Sequence, residues 1–217
     1  MNPVDLTRRV EPGMPVYPGD PGVDAEASAT MDADGYRVTR LSLTTHAGTH
    51  VDAPAHTEPD GATLDESDVG DFRFHARLVD LPGLDDREPI TPAMLPDAAD
   101  LAAETDALVV RTGWGDHWGD ERYFDHPYLT PAAARHVADA GLALGLDTIN
   151  PDPTPTERAH DDEPAGVPAH RELLGAGVSI VENLVLPAAL PERFVLRAYP
   201  LRVDADGAPV RAVAEPS

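Results

Sequence analysis

The chain has 217 residues, with 39 Asp and Glu against 16 Lys and Arg, a formal charge of −23 at neutral pH. Such a polyanion repels phosphate, whose binding needs cationic side chains to displace condensed counterions, so nucleic acid is excluded as a ligand and anionic membrane surfaces are disfavoured. With no cysteine in the chain, disulfides and thiolate metal sites are ruled out, and any metal must be held by histidine and carboxylate.

All sixteen cations are arginine, and aspartate outnumbers glutamate 26 to 13. A surface of this kind repels itself in ordinary buffer, whereas molar salt shortens the screening length to about 3 Å. The composition therefore reads as adaptation to a salty cytoplasm. Disorder is the weaker reading, because 41% of the residues are hydrophobic and the acids are scattered among them rather than blocked. One domain over residues 1–217 is expected from the length. Arg8-Arg9 is followed by Val-Glu-Pro-Gly-Met-Pro instead of an apolar stretch, and no apolar run approaches the roughly 20 residues that span a bilayer. A soluble, cytoplasmic protein is expected.

In chain order, β-branched and aromatic enrichment between turn signals predicts strands at Tyr36–Thr45, Arg73–Leu81, Ala107–Thr112, Leu142–Asp147, Val178–Asn183 and Arg193–Val203. Two helices carry punctuation. Thr130-Pro131 reads as an N-cap and first helical residue, with Gly141 as the stop. A second helix is expected from near Pro168, through His170, Leu173 and Leu174, to Gly175 or Gly177. The pattern suits a mixed α/β layer with few helices. Residues Asn150 to Ala169 form one long irregular segment with five prolines, and connections of that length are commonly active-site loops.

The densest chemistry lies in His46-Ala-Gly-Thr-His50-Val-Asp52-Ala-Pro54-Ala-His56. Along a straight strand His46 and His50 stand about 13 Å apart, too far to share an ion with bonds of about 2.0–2.2 Å. Gly48, Thr49, Val51 and Pro54 oppose a helix. The geometry left is a strand end bent at Gly48, which brings His46 and His50 together. Asp52, two residues further along an extended chain, then points to the same side as His50. Pro54 keeps Ala53 out of helical angles and delivers His56 to the rim. Two other readings compete: a solvated polar loop, and a structural zinc closed by four protein ligands. Three ligands of the type His, His, Asp leave a position open for water.

The segment resembles the His-x-Gly-Thr-His-x-Asp-x-Pro-x-His signature of the metal-dependent cyclase family, which contains bacterial kynurenine formamidases and isatin hydrolases. The similarity extends to Asp5-Leu6-Thr7, to Met14 through Tyr17-Pro18-Gly19-Asp20, to Arg111-Thr-Gly-Trp114 and Gly145-Leu-Asp-Thr148, and to His170-Arg-Glu-Leu-Leu174 with Val181-Glu182-Asn183-Leu184. The resemblance implies the swivelling β/β/α fold of that family. It also implies His46, His50 and Asp52 as ligands of a first metal, with Asp52 bridging to a second ion held by His170 and Glu182. His56 is implied as the acid/base histidine. On their own, Glu182 reads as a strand-edge acid and His170 as a helix-turn histidine. Where the family carries an aromatic after the last histidine of the signature, this chain has Thr57, so a different pocket wall is expected.

The expected activity is hydrolysis of an amide or formamide of a small molecule by a metal-activated water, of the kynurenine formamidase or isatin hydrolase kind, with one or two zinc or manganese ions per chain. Tyr17 and Trp114 are candidates for the substrate wall, the latter in an aromatic loop with Trp118, Tyr123 and Phe124. The remaining histidines, 75, 117, 126, 136 and 160, receive no role, although His160 could line the pocket. The resemblance also implies a homodimer or higher homo-oligomer. Two rival activities are a cyclase or dehydratase acting on a hydroxy or keto acid, and a metal-binding module without turnover.

Overall fold

In Arg73–Asp80 every second side chain is apolar, and Phe74, Ala76 and Leu78 are buried while their neighbours are not. That period of two is a strand with one face on a core. Ala107–Arg111 and Ala143–Leu146 are instead buried almost throughout, as parallel strands covered on both faces are. The computed structural model describes residues 2–101 and 103–215. In chain order its strands are β1 (Val4–Asp5), β2 (Asp24–Ala29), β3 (Val38–Ser42), β4 (His50–Asp52), β5 (Arg73–Asp80), β6 (Pro89–Ile90), β7 (Ala107–Arg111), β8 (Tyr128–Leu129), β9 (Ala143–Leu146), β10 (Ile180–Glu182), β11 (Arg193–Arg197), β12 (Gly207–Pro209) and β13 (Val213–Glu215). The α-helices are α1 (Met31–Asp34), α2 (Pro131–Asp139) and α3 (Pro168–Gly175).

Nine strands form one mixed sheet in the order β1-β13-β11-β5-β7-β9-β10-β4-β12. The run β5-β7-β9-β10 is parallel, and the flanking pairs are antiparallel. Only residues 210–212 separate β12 from β13, yet β12 is the last strand of that order and β13 the second. The sheet must therefore curl until its ends meet. Leu6 closes the gap, its N–H donating to Ala212 O at 2.9 Å and its carbonyl accepting from Val185 N–H at 2.8 Å. Inside the curl, Leu6, Val51, Phe74, Phe194 and Ala208 share one core. On the outer face Leu108, Val110, Leu144 and Ile180 pack against α2 and α3 through Ala134, Val137, Leu173 and Leu174.

Both expected helices form. Thr130 Oγ1 accepts from Ala133 N–H at 3.2 Å ahead of Pro131, and Gly141 takes φ 68° just after the end of α2. Helix α3 lacks a local side-chain cap, and Asp152 supplies one from a distance, its carboxylate accepting from the N–H groups of Ala169 and His170 at 2.7 and 3.0 Å. Two strand expectations need correction. The segment expected at Tyr36–Thr45 is β3, an exposed ribbon paired with β2 outside the main sheet. The strand expected at Arg193–Val203 ends at Arg197, and Pro200 makes only an isolated bridge to Val210; proline has no N–H to continue a ladder.

The long segment after β9 is tied down by buried polar contacts. Asn150 Nδ2 donates to Thr154 Oγ1 at 2.8 Å, Thr154 Oγ1 donates to His126 Nε2 at 2.9 Å, and His126 Nδ1 donates to Pro127 O at 2.8 Å. Buried Arg87 pairs with Glu163 and Asp125 and donates to Thr154 O. The chain through Thr154 requires a neutral His126, and burial pulls its pKa down to about 4. Unfolded, the same imidazole takes a proton near pH 6.5. Its contribution is thus complete above pH 6.5 and is lost as pH falls toward 4, by about 3 kcal/mol in all. In urea titrations the stability gap between the wild type and His126→Asn should narrow by about 2–3 kcal/mol from pH 7.5 to pH 4.5; a gap independent of pH overturns this assignment.

Candidate metal centre

Gly48 turns the chain at φ 68°, and its carbonyl is held twice, by Asn183 Nδ2 at 2.9 Å and by His50 Nδ1 at 2.9 Å. Asn183, itself at φ 57°, also accepts at its carbonyl from Thr49 Oγ1 at 2.8 Å. Donation from His50 Nδ1 to Gly48 leaves Nε2 as the free end of the ring. The bend expected at Gly48 is there, and His46 and His50 converge on Asp52.

Strand register supplies the next donor. In the antiparallel pair β4/β10, Glu182 stands opposite His50 and Ile180 opposite Asp52. His50, Asp52 and Glu182 therefore share one face, while Val51 joins the core on the other. Helix α3 closes over that face with His170. Its Nδ1 donates to Asp152 Oδ2 at 2.7 Å, leaving Nε2 3.2 Å from Glu182 Oε1 and 3.8 Å from Asp52 Oδ2. On the far side of β4, Gly207 lies opposite Asp52. A Cβ at Gly207 would stand 2.7 Å from His46 Cε1, so the glycine makes room for the His46 ring.

The donor set fits a divalent cation. Ligand atoms about 2.1 Å from a tetrahedral ion are about 3.4 Å apart, and His50 Nε2 is 3.2 Å from both Asp52 Oδ1 and Glu182 Oε2. His50 Nε2, Asp52 Oδ2 and Glu182 Oε1 are buried without a hydrogen-bond partner, a costly state for polar atoms unless a cation answers them. Two three-residue groups have mutually close donor atoms here, His46-His50-Asp52 and Asp52-His170-Glu182, with Asp52 common to both. The electrostatics agree. Burial pushes the Asp52 carboxyl up, but His50 and His46 outweigh it and hold it well below the usual range. Burial pulls His50 down, but Asp52 and Glu182 raise it well above a free imidazole. His170 is driven against its burial to about 10 by Asp152 and Glu182. The field at this point strongly favours positive charge.

A third cluster lies toward solvent. Asp206 Oδ2 accepts from His46 Nε2 at 2.9 Å and from His56 Nδ1 at 3.1 Å, and Asp206 Oδ1 accepts from Thr45 Oγ1 at 3.1 Å. Burial alone would raise the Asp206 carboxyl, yet these histidines bring it to about 2. The His56 ring is 4.0 Å from that of His46 and 5.5 Å from that of His170, centroid to centroid. All six residues singled out in the sequence as ligands or acid/base group therefore meet at one place. Four of them, His46, His56, His170 and Glu182, open onto a cavity of about 310 Å³ that Tyr17, Thr57, Ile149 and Val167 also line, while His50 and Asp52 lie buried beneath it. Trp114 does not line it. That indole is buried behind the wall against Tyr123 and Ile149, with its N–H on Arg122 O at 3.2 Å. His160 belongs to the neighbouring cavity under the long segment.

Asp206 and Asp152 have no distinguishing signal in the sequence. Asp206 lies 150 residues from its partner His56, and in a chain with 26 aspartates a lone Asp before glycine reads as a turn. Only Asn183, flanking Glu182 in the matched segment, was within reach.

The cyclase family model matches residues 4–153. A kynurenine formamidase from Salinibacter ruber is 33% identical over 97% of this chain and 95% of its own. The structure of isatin hydrolase A from Labrenzia aggregata, bound to benzyl benzoate, superposes with a TM-score of 0.84 at 25% identity, covering 98% of this chain and 93% of that one. A Bacillus stearothermophilus structure described as a predicted metal-dependent hydrolase gives 0.77 at 28% identity, covering 98% and 97%. The mixed sheet with few helices is the fold of these neighbours. Matched over most of its length by the family model and along nearly all of it by such a relative, the chain belongs to the cyclase family.

Proposed function

We propose that this protein is a metal-dependent hydrolase of small non-peptide amides, cleaving a formamide of the kynurenine formamidase kind or a cyclic amide of the isatin kind. The observation that carries the reading is the trio of buried, unpartnered donor atoms on His50, Asp52 and Glu182. His46, His50 and Asp52 would hold one divalent ion, and Asp52, His170 and Glu182 would hold a second, with zinc and manganese both suited to such ligands. When bound, the metal supplies a Lewis acid for the amide carbonyl and lowers the pKa of water toward about 7.

The chain's own residues do the rest. Asp206 accepts a hydrogen bond from His56 Nδ1 and so leaves Nε2 as the basic nitrogen of the ring, which takes a proton from water and returns it to the departing amide nitrogen. His46 and His170 flank that ring and restrict its rotation. Ile149, Val167 and Tyr17 give the cavity an apolar wall suited to an aromatic acyl or amine portion, and Thr57 leaves space where the family carries an aromatic.

His56→Ala should lower kcat/KM on an arylformamide by about 10²–10⁴ while elemental analysis shows the same metal content; loss of metal as well would make His56 a ligand and overturn its role. Metal stoichiometry also separates the two ion positions. Glu182→Gln and His170→Ala should each lose one of two ions per chain, whereas Asp52→Ala should lose both. Equal retention across the three variants sinks the shared-carboxylate arrangement.

A further inference from the structure

One acidic residue at the cavity is used neither by the donor cluster nor by His56. The chain contains no lysine, and among the described residues no arginine lines this cavity, so a substrate carboxylate meets no guanidinium or ammonium group there. Asp20 does line it. A tight turn presents this residue: its N–H donates to Tyr17 O at 3.0 Å across Gly19, which takes φ 101°. Asp20 is exposed, and it is not a partner in any ion pair of the described residues, unlike Asp206 with His46 and His56. Tyr17 stands beside it, half-buried, and burial raises its phenol with help from the carboxylates of Asp152, Asp20 and Glu182. An unpaired carboxylate next to an aromatic ring is a cation-binding combination, because the acid supplies charge and the ring a negative face. Ile149 and Val167 complete the wall with apolar surface.

We infer that Asp20 and Tyr17 make this cavity selective for substrates with an ammonium group, so that among small aromatic amides it prefers cationic to neutral ones and rejects those whose only charge is a carboxylate. The inference rests on the amide-hydrolase reading and names the substrate class within it. A cation at the mouth is also consistent with the rest of the molecule, since a net charge of −23 draws cations toward the surface and repels anions.

Three formanilides test it on the metal-loaded protein in about 0.1 M salt: the unsubstituted compound, one with a meta aminomethyl group and one with a meta carboxylate. The wild type should turn them over in the order cationic, neutral, anionic. Asp20→Asn should reduce the cationic-to-neutral ratio of kcat/KM about fivefold, chiefly through KM, while Glu26→Gln, which removes an exposed acid outside the cavity, should keep the wild-type ratio. A ratio unchanged in Asp20→Asn overturns the inference. Calorimetric titration with benzylammonium reads the same site without turnover, and Asp20→Asn should bind it about fivefold more weakly; equal binding again overturns it. If none of the formanilides is hydrolysed, the amide reading fails, and the benzylammonium titration still decides the cation site.

Discussion

Two carboxylates are buried side by side on adjacent strands, and the rest of the centre answers that fact. Asp52 and Glu182 are almost wholly inaccessible, and the charge of Asp52 works against ionisation of Glu182. Burying like charges together costs several kcal/mol per ion unless cations or hydrogen bonds offset it. Around this pair His50 and His170 bring ring nitrogens to within 3.2 Å, yet His50 Nε2, Asp52 Oδ2 and Glu182 Oε1 make no hydrogen bond. The register of β4 on β10 could have buried two apolar pairs at those positions, as it does with Val51 and Val181 one residue along. Such an arrangement gives up stability for a place where divalent charge is held, and it makes folding and metal binding favour one another.

Precision at that place comes from the atoms one bond further out. Each histidine around Asp52 has one ring nitrogen committed, His50 to Gly48 O, His170 to Asp152 and His46 to Asp206. These contacts fix ring orientation and tautomer together. The same shell couples the centre to the fold. Asp152 orients His170 and caps the start of α3 with one carboxylate. Asp206 holds His46 and His56 immediately before Gly207, whose missing side chain leaves room for the His46 ring. Tyr123, buried beneath the floor, donates to Asn183 Oδ1 at 2.7 Å and fixes the amide that grips Gly48.

Chemistry was easier to read in the sequence than position. The His46-to-His56 segment was legible because its constraints are local: a glycine needed at positive φ, an alternation that aligns His50 with Asp52, a proline that redirects the exit. His170 and Glu182 came only through a match to a known signature, since strand register and helix docking decide that they face Asp52. Asp206 and Asp152 stayed hidden because their partners are 150 and 18 residues away and their residue type is the commonest acid in the chain. Strands failed at the extremes of burial. β2, Asp-Ala-Glu-Ala-Ser-Ala, has neither β-branched nor aromatic residues, and β12 and β13 are three residues each, too short to show a period. Trp114 was misplaced because aromatic enrichment in a loop marks packing as readily as a ligand wall.

The arginines are kept away from the cavity, whose only cationic side chains are imidazoles among the described residues. With no lysine in the chain, every ion pair that involves neither a histidine nor a terminus needs a guanidinium, and the described pairs place these away from the centre. Arg87 is buried against Asp125 and Glu163, Arg111 sits on Asp80, Arg211 on Asp5, and Arg197 on Glu215. A guanidinium near Asp52 or Glu182 would compete directly for their lone pairs and satisfy them without a metal. Keeping arginine out of the cavity preserves the donors for divalent charge and leaves Asp20 without an internal counter-ion. Metal retention and substrate choice thus follow from one constraint, the exclusion of fixed cations from a pocket built of carboxylates and imidazoles.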